Sequence, residues 1–181
     1  DPSQNPCNFV VFPGADIQTS ARVAALKQVG SSSVGLLSAT DTGDKAILAA
    51  DQTALPAAGI KIVKSVTVDP TAIDFTAQLQ ALRSAGVTTI AAEVQATNYV
   101  TLMKNIQSIG WKDVKVVAGT TAVADTVLGA IPSAVADQFV AIGVHTVSRS
   151  GPDISSLAAN EQTLIKKMQE LNSPFNALNG A

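Results

Sequence analysis

The sequence predicts an α/β fold, an open parallel sheet with helices on both faces. Amphipathic helical segments alternate with short apolar runs from about residue 8 to residue 144, the order that builds parallel sheets from crossover units. The apolar runs are rich in β-branched residues and do not alternate with polar ones, as expected for strands covered on both sides. A glycine follows each long helical segment, at Gly30, Gly59, Gly86 and Gly110, where a helix end calls for a residue free to take positive φ.

Residues 8–12 form the first strand candidate, followed by a helix over 16–29 that stops at Gly30. Residues 34–39 are the second strand, and a helix over 42–58 stops at Gly59. Pro56 falls inside that helix and is expected to loosen its last turn. Residues 60–68 make the third strand. A helix over 97–109 carries Tyr99, Met103 and Ile106 on one face, with Gly110 as its stop. Residues 114–118 and 139–144 complete the strands, with a short helix around 122–128 between them.

The stretch over residues 74–95 is the most informative. Asp74 stands where an N-cap acceptor belongs. Phe75, Leu79 and Leu82 follow at the spacing of one buried helical face. Residues 87–92 form an apolar run of strand length, and Glu93 comes next, at the C-terminal edge where open parallel sheets bind small molecules.

Composition excludes several functions. Hydrophobic residues make up 46% of the 181-residue chain and aromatics only 4%, so one sizeable core can form from Ala, Val, Ile and Leu. A net charge of −2 with scattered lysines argues against a nucleic-acid surface. No apolar run approaches the roughly 18 residues of a membrane span. No signal peptide is present, and the start at Asp1 without methionine suggests a processed or excised piece.

Motifs for chemistry are lacking. Pro13, Gly14, Ala15 and Asp16 occupy the turn where a dinucleotide fingerprint would lie. Gly43, Asp44 and Lys45 lack the upstream glycine and following hydroxyl of a phosphate loop, and there is no nucleophile elbow. His145 is the single histidine, so a two-histidine metal site is ruled out, and it reads as a polar residue at a strand end. Ser148 and Ser150 lie close by in a turn-rich segment, a poor support for a catalytic triad. No cofactor is expected and no enzyme activity. Cys7, the single cysteine, is either a lone thiol or one half of a disulfide to sequence outside this chain.

From about Ser148 the character changes. Ser148, Arg149, Ser150, Gly151 and Pro152 form a linker before a final helix over 155–171. The expected organisation is therefore an α/β lobe over 1–147 and a linker with a C-terminal helix over 148–181.

Residues 34–59, VGLLSATDTGDKAILAADQTALPAAG, resemble a strand–loop–helix unit of type I periplasmic binding proteins. Residues 60–86, with Val68, Asp69 and Pro70 and then Asp74 and Phe75 before a leucine-patterned helix, are similar to that family's most recognisable stretch. Residues 87–111, ending in Ile109, Gly110 and Trp111, match the next strand and helix. The likeness covers roughly residues 8–146 and is distributed rather than concentrated in one signature. It points to solute receptors of branched-chain-amino-acid-type ABC transporters, in which two Rossmann-like lobes close on a small ligand. On this resemblance the chain is the second lobe, the N-terminal lobe is missing, and residues 148–181 lead back toward it.

The resemblance places ligand contacts in the loops after the parallel strands, the edge to which helix N-termini also point. The candidates are Thr40, Asp41 and Thr42, then Glu93 and Gln95, then Thr120 and Thr121. Relatives often carry an aromatic residue at the position of Thr42 and a tyrosine in the loop after Glu93. Those that grip an α-ammonium use an acid near Thr121, and this chain has none there. Glu93 is the residue that could take over as ammonium partner, while threonine hydroxyls equally admit a hydroxylated or carboxylated ligand. Asp41 also fits a helix cap, Thr120 and Thr121 also fit turn formers, and Tyr99 and Trp111 fit packing.

The function expected is extracytoplasmic binding of a small solute, an amino acid or another small carboxylate or amide, for an ABC transporter permease. The location would be periplasmic or extracellular, with a lipoprotein anchor compatible. A face normally covered by the missing lobe would favour self-association. The alternative is a ligand-sensing domain of the same fold in a transcription regulator or receptor.

Overall fold

The structure is a computed structural model that describes residues 14–143 together with residues 162 and 163. Cys7, the strand expected over 8–12, His145, Ser148 and Ser150 lie outside the described residues. So does the final helix expected over 155–171, apart from Gln162 and Thr163, which are helical.

Among the described residues five strands form one parallel sheet: β1 (Ser33–Ala39), β2 (Lys61–Val68), β3 (Thr89–Glu93), β4 (Lys115–Ala118) and β5 (Phe139–Ala141). The order across the sheet is β2-β1-β3-β4-β5. The chain therefore winds outward from β1 to β2, then crosses back over β1 to β3. That reversal leaves a crevice beyond the C-terminal ends of β1 and β3.

Within residues 14–143 five α-helices accompany the strands: α1 (Ala15–Gln28), α2 (Thr42–Ala57), α3 (Thr76–Ser84), α4 (Ala96–Ser108) and the single turn α5 (Asp125–Leu128). Period-2 alternation divides the core between the two faces of the sheet. Leu36, Ala91 and Val117 pack with Leu26 of α1 and Leu55 of α2. Leu37, Ile90, Ala92 and Val116 pack with Leu79 and Leu82 of α3 and Leu102, Met103 and Ile106 of α4. Helices thus cover both faces, as the segment order requires.

Local signals are obeyed closely. Phe75, Leu79 and Leu82 are all fully buried. Gly86 takes φ +76°, and its amide closes the last turn of α3 on the Arg83 carbonyl. The three other glycine stops adopt the same left-handed backbone. Asp74 accepts the Thr76 N–H at 2.8 Å, while Phe75 occupies the cap position of α3 itself. Tyr99 and Trp111 are buried packing residues, with the Arg83 guanidinium 5.9 Å from the Trp111 ring centre.

Three expectations are corrected. β2 is not covered on both sides: it is an edge strand whose Lys61, Val63, Lys64, Ser65 and Thr67 are exposed. The segment over 122–128 is not one helix but a 3-10 turn, Thr120–Val123, followed by α5, with Ala124 in extended backbone between them. β5 ends at Ala141, short of the expected residue 144.

Candidate functional site

The three loops beyond β1, β3 and β4 meet the N-terminal turn of α1 around one cleft of about 340 Å³, within the size range of small-molecule sites. Five of the seven candidates line it: Asp41, Glu93, Gln95, Thr120 and Thr121. Thr40 and Thr42 do not. Thr40 is half-buried, and Thr42 is exposed at the first position of α2. Ala15 and Gln18 of α1 close one side, and Gly43, Asp44, Ala46 and Ile47 of α2 close another. A second hollow of about 270 Å³ lies at the opposite edge, where Ser33, Thr89 and Lys115 begin their strands. Helix N-termini and the switch-point crevice belong to the first edge, which is therefore the candidate site.

Asp41 performs two tasks. Its Oδ1 accepts the Asp44 N–H at 3.1 Å, capping α2, and its Oδ2 accepts the Gln95 amide at 3.2 Å. The second bond ties the β1 loop to the β3 loop across the switch point. Burial is the largest single influence on the Asp41 carboxyl and pushes it up, but hydrogen bonds from the Asp44 amide and side chain, Gln95 and the Gly43 amide together outweigh it and hold it below its ordinary value.

Thr120 donates to Gln18 Oε1 at 3.0 Å, joining the β4 loop to α1. Thr121 donates to the Val94 carbonyl at 3.3 Å, joining the β4 and β3 loops. Tyr99 fixes the backbone beneath them: its hydroxyl donates to the Ala92 carbonyl at 3.1 Å and accepts the Gly119 N–H at 2.8 Å. Burial, then the Glu93 charge, raises the phenol above its ordinary value, so it remains a neutral donor.

Glu93 is not a solvent-facing strand end. It is 3% exposed, and alternation turns it toward the layer of α1 and α2, as it turns Ala91 two residues earlier. There its Oε2 is held by Arg22 Nη2 of α1. Arg22, 1% exposed, reaches Asp51 Oδ2 of α2 at 2.7 Å through its other terminal nitrogen. Thr19 completes the group by donating to Asp51 Oδ1 at 2.8 Å. Burial pushes both the Glu93 and Asp51 carboxyls above their ordinary values, although Arg22 draws each back. Burial opposes the Arg22 charge as well, but Asp51 and Glu93 outweigh it and raise the guanidinium. The carboxylate that the resemblance offered for an ammonium is thus already engaged by an internal cation.

Asp44 is the least satisfied group in the cleft. It is 6% exposed, and its Oδ2 has no hydrogen-bond partner among the described residues. Burial, then a hydrogen bond through which the protonated form meets the Asp41 carboxylate, then the Asp41 and Glu93 charges, push its pKa up to about 7.

Sequence reasoning passed over Arg22, Asp51, Gln18 and Asp44. Spacing held the signal for the first three. Gln18, Arg22 and Leu26 repeat every four residues on α1, and Ile47, Asp51 and Leu55 do so on α2. A charged residue in register with buried leucines belongs to the core face and needs a partner there. Among the described residues no group of three or more His, Cys, Asp or Glu is arranged to hold a metal ion, and no helix is long and apolar enough to cross a membrane.

The model of the periplasmic binding protein family matches residues 1–173. The chain belongs to that family. Among solved structures, this periplasmic-binding-protein chain is similar to a Rhodospirillum rubrum protein named for a branched-chain amino acid ABC transporter, with TM-score 0.77, 14% identity, and coverage of 97% of this chain and 48% of that one. A leucine-binding protein from Thermotoga maritima has TM-score 0.66 and 16% identity, covering 91% of this chain and 45% of that one. A solute-binding protein of an ABC transporter from Rhodopseudomonas palustris BisB5, solved with 3,4-dihydroxybenzoic acid, has TM-score 0.60 and 20% identity, covering 66% and 34%. The chain therefore spans half or less of the length of these relatives. Among curated proteins nothing matches.

Proposed function

We propose that the chain is one lobe, the second, of a non-catalytic receptor that binds a small solute outside the cytoplasm and delivers it to an ABC transporter permease. The solute is an amino acid or another small carboxylate or amide, held between this lobe and a first lobe contributed by other sequence. The observation that carries this reading is the convergence of Asp41, Gln95, Thr120 and Thr121, from three separate loops, on one cleft at the switch-point edge. The Gln95 bond to Asp41 and the Thr121 bond to the Val94 carbonyl hold the loops ready without reorganisation, which is how a binding site limits the entropy cost of capture. One lobe supplies only part of the contacts, so binding to this chain alone is weak and closure over the ligand supplies the rest.

A ligand screen by two-dimensional amide NMR on the chain tests this, with amino acids, aromatic acids, small amides and sugars as probes. The expected result is movement of the Gly43, Gln95 and Thr121 amides with at least one compound, lost in Gln95→Ala with Thr121→Ala. No movement at these amides with any compound up to millimolar concentration overturns it.

A further inference from the structure

The charge lining the cleft is one-sided. Asp41, Asp44 and Glu93 contribute carboxylates to the wall, and among the described residues no lysine or arginine lines it. The nearby cation, Arg22, is buried behind the wall and shared between Glu93 and Asp51. Asp44 has a carboxylate oxygen enclosed with no donor to meet it, and a buried acceptor left in that state is costly. Ala15, Ala46 and Ile47 form a small apolar wall in the same cleft.

We propose that Asp44, flanked by Asp41, is the anchor of a subsite for a positively charged hydrogen-bond donor, an amine, amidine or guanidine carried on a small apolar body. This rests on the solute-binding reading and specifies which end of the solute meets this lobe. Oδ2 has almost no accessible surface as the side chain stands, so a charged donor meets it once Asp44 turns toward the cleft. There the donor satisfies the orphan acceptor and offsets the repulsion between the neighbouring carboxylates, two gains that an anion forfeits. The body lies against Ala15, Ala46 and Ile47. The groups that face Asp44 from the surrounding elements are Asp41 beside it, Glu93 from β3 and Arg22 from α1. Of these, two are carboxylates and the third is already paired.

Benzamidine, benzamide and benzoate share one shape and differ in charge, so they isolate the claim. Each is titrated into the chain while the Gly43, Asp44 and Thr121 amides are followed by NMR. The expected order is benzamidine over benzamide, with benzoate weakest. Asp44→Asn should weaken benzamidine about tenfold and leave benzamide nearly unchanged. In the unsubstituted chain benzamidine should bind more tightly at pH 8 than at pH 6, because Asp44 ionises across that interval; this series needs no variant. Benzoate binding as well as benzamidine, or benzamidine indifferent to both Asp44→Asn and pH, overturns the subsite. If benzamidine does not bind while another compound of the wider screen moves these amides, the donor subsite fails and the receptor reading stands. If no compound moves them, both fail.

Discussion

Arg22 on α1 and Glu93 at the end of β3, separated by 71 positions in sequence, form a buried ion pair behind the cleft wall. Asp51 of α2 shares the same guanidinium, so one side chain ties two helices to the sheet at the edge where the cleft opens. A buried pair adds little net stability relative to a well-packed apolar replacement, but removing one partner leaves uncompensated charge. Arg22→Leu strands two carboxylates at once and is expected to cost about 3–5 kcal/mol at neutral pH. Their folded pKa values then rise further above the unfolded ones. The loss is smallest below the ordinary carboxylate range and deepens as pH rises through the raised values. Urea unfolding of wild type and variant at pH 5 and pH 8 checks this; an equal deficit at both would show that lost packing, not stranded charge, is responsible.

Gly119, the first residue beyond β4, is required by Glu93. A Cβ built there would overlap the Glu93 carboxylate, while the Gly119 amide is bound to the Tyr99 hydroxyl. Neither neighbour can yield freely, because Glu93 is held by Arg22 and Tyr99 is fully buried. Gly119→Ala is expected to destabilise by about 1–3 kcal/mol. A double variant with Glu93→Ala should recover part of the steric loss, seen as a positive coupling in a thermal-unfolding cycle. Strict additivity would refute the contact.

Asp44 introduces a pH dependence of known sign. Its folded pKa of about 7 lies above the unfolded value of 3.8, so the folded chain holds the proton more tightly. That contribution to stability is fully present below the unfolded value, declines between about pH 4 and pH 7, and is gone above. Asp44→Asn lacks it. The stability of the variant relative to wild type should therefore rise from pH 4.5 to pH 7.5, by on the order of 2 kcal/mol once solvent screening at this partly open site is discounted. Parallel stability curves would place the Asp44 carboxyl in water instead.

What could be read from sequence, and what could not, divides along local and long-range physics. Phe75, Leu79, Leu82 and Gly86 are legible because a helical face and a helix stop are set by neighbours within a few residues. Asp41, Gln95, Thr120 and Thr121 are legible as a group because parallel strands place the loops that follow them on one edge. The exposure of β2 depends on which strand ends the sheet, a matter of order rather than composition, although Lys61 and Lys64 stood in its sequence. The partner of Glu93 depends on how α1 docks. Local spacing could mark Arg22 as core-facing, but nothing local names Glu93 and Asp51 as the carboxylates it meets. Thr42 and Asp44 show the same division, since the docking of α2 alone decides that Thr42 faces solvent and Asp44 the cleft.

Tyr99 supplies the last prediction, because its hydroxyl reinforces a backbone bond between the ends of β3 and β4, where the Gly119 amide reaches the Ala92 carbonyl at 3.1 Å. It donates to the Ala92 carbonyl and accepts from Gly119, with the Val94 amide also within 3.4 Å. At the floor of the cleft the ends of β3 and β4 are therefore tied twice, by that backbone bond and through the Tyr99 oxygen. Tyr99→Phe keeps the ring, including its edge-to-face contact with Phe139 at 5.9 Å between centres. What is lost is the hydroxyl, while the Gly119 amide keeps the Ala92 carbonyl as an acceptor. The expected cost is about 0.5–1.5 kcal/mol, the net worth of a hydrogen bond lost without orphaning its partner. The effect should also be local: hydrogen exchange at Gly119 should accelerate more than at Ile90 in the middle of β3, since the loop opens without unfolding the sheet. A uniform acceleration across both positions would mean that the hydroxyl supports the whole fold rather than the cleft floor.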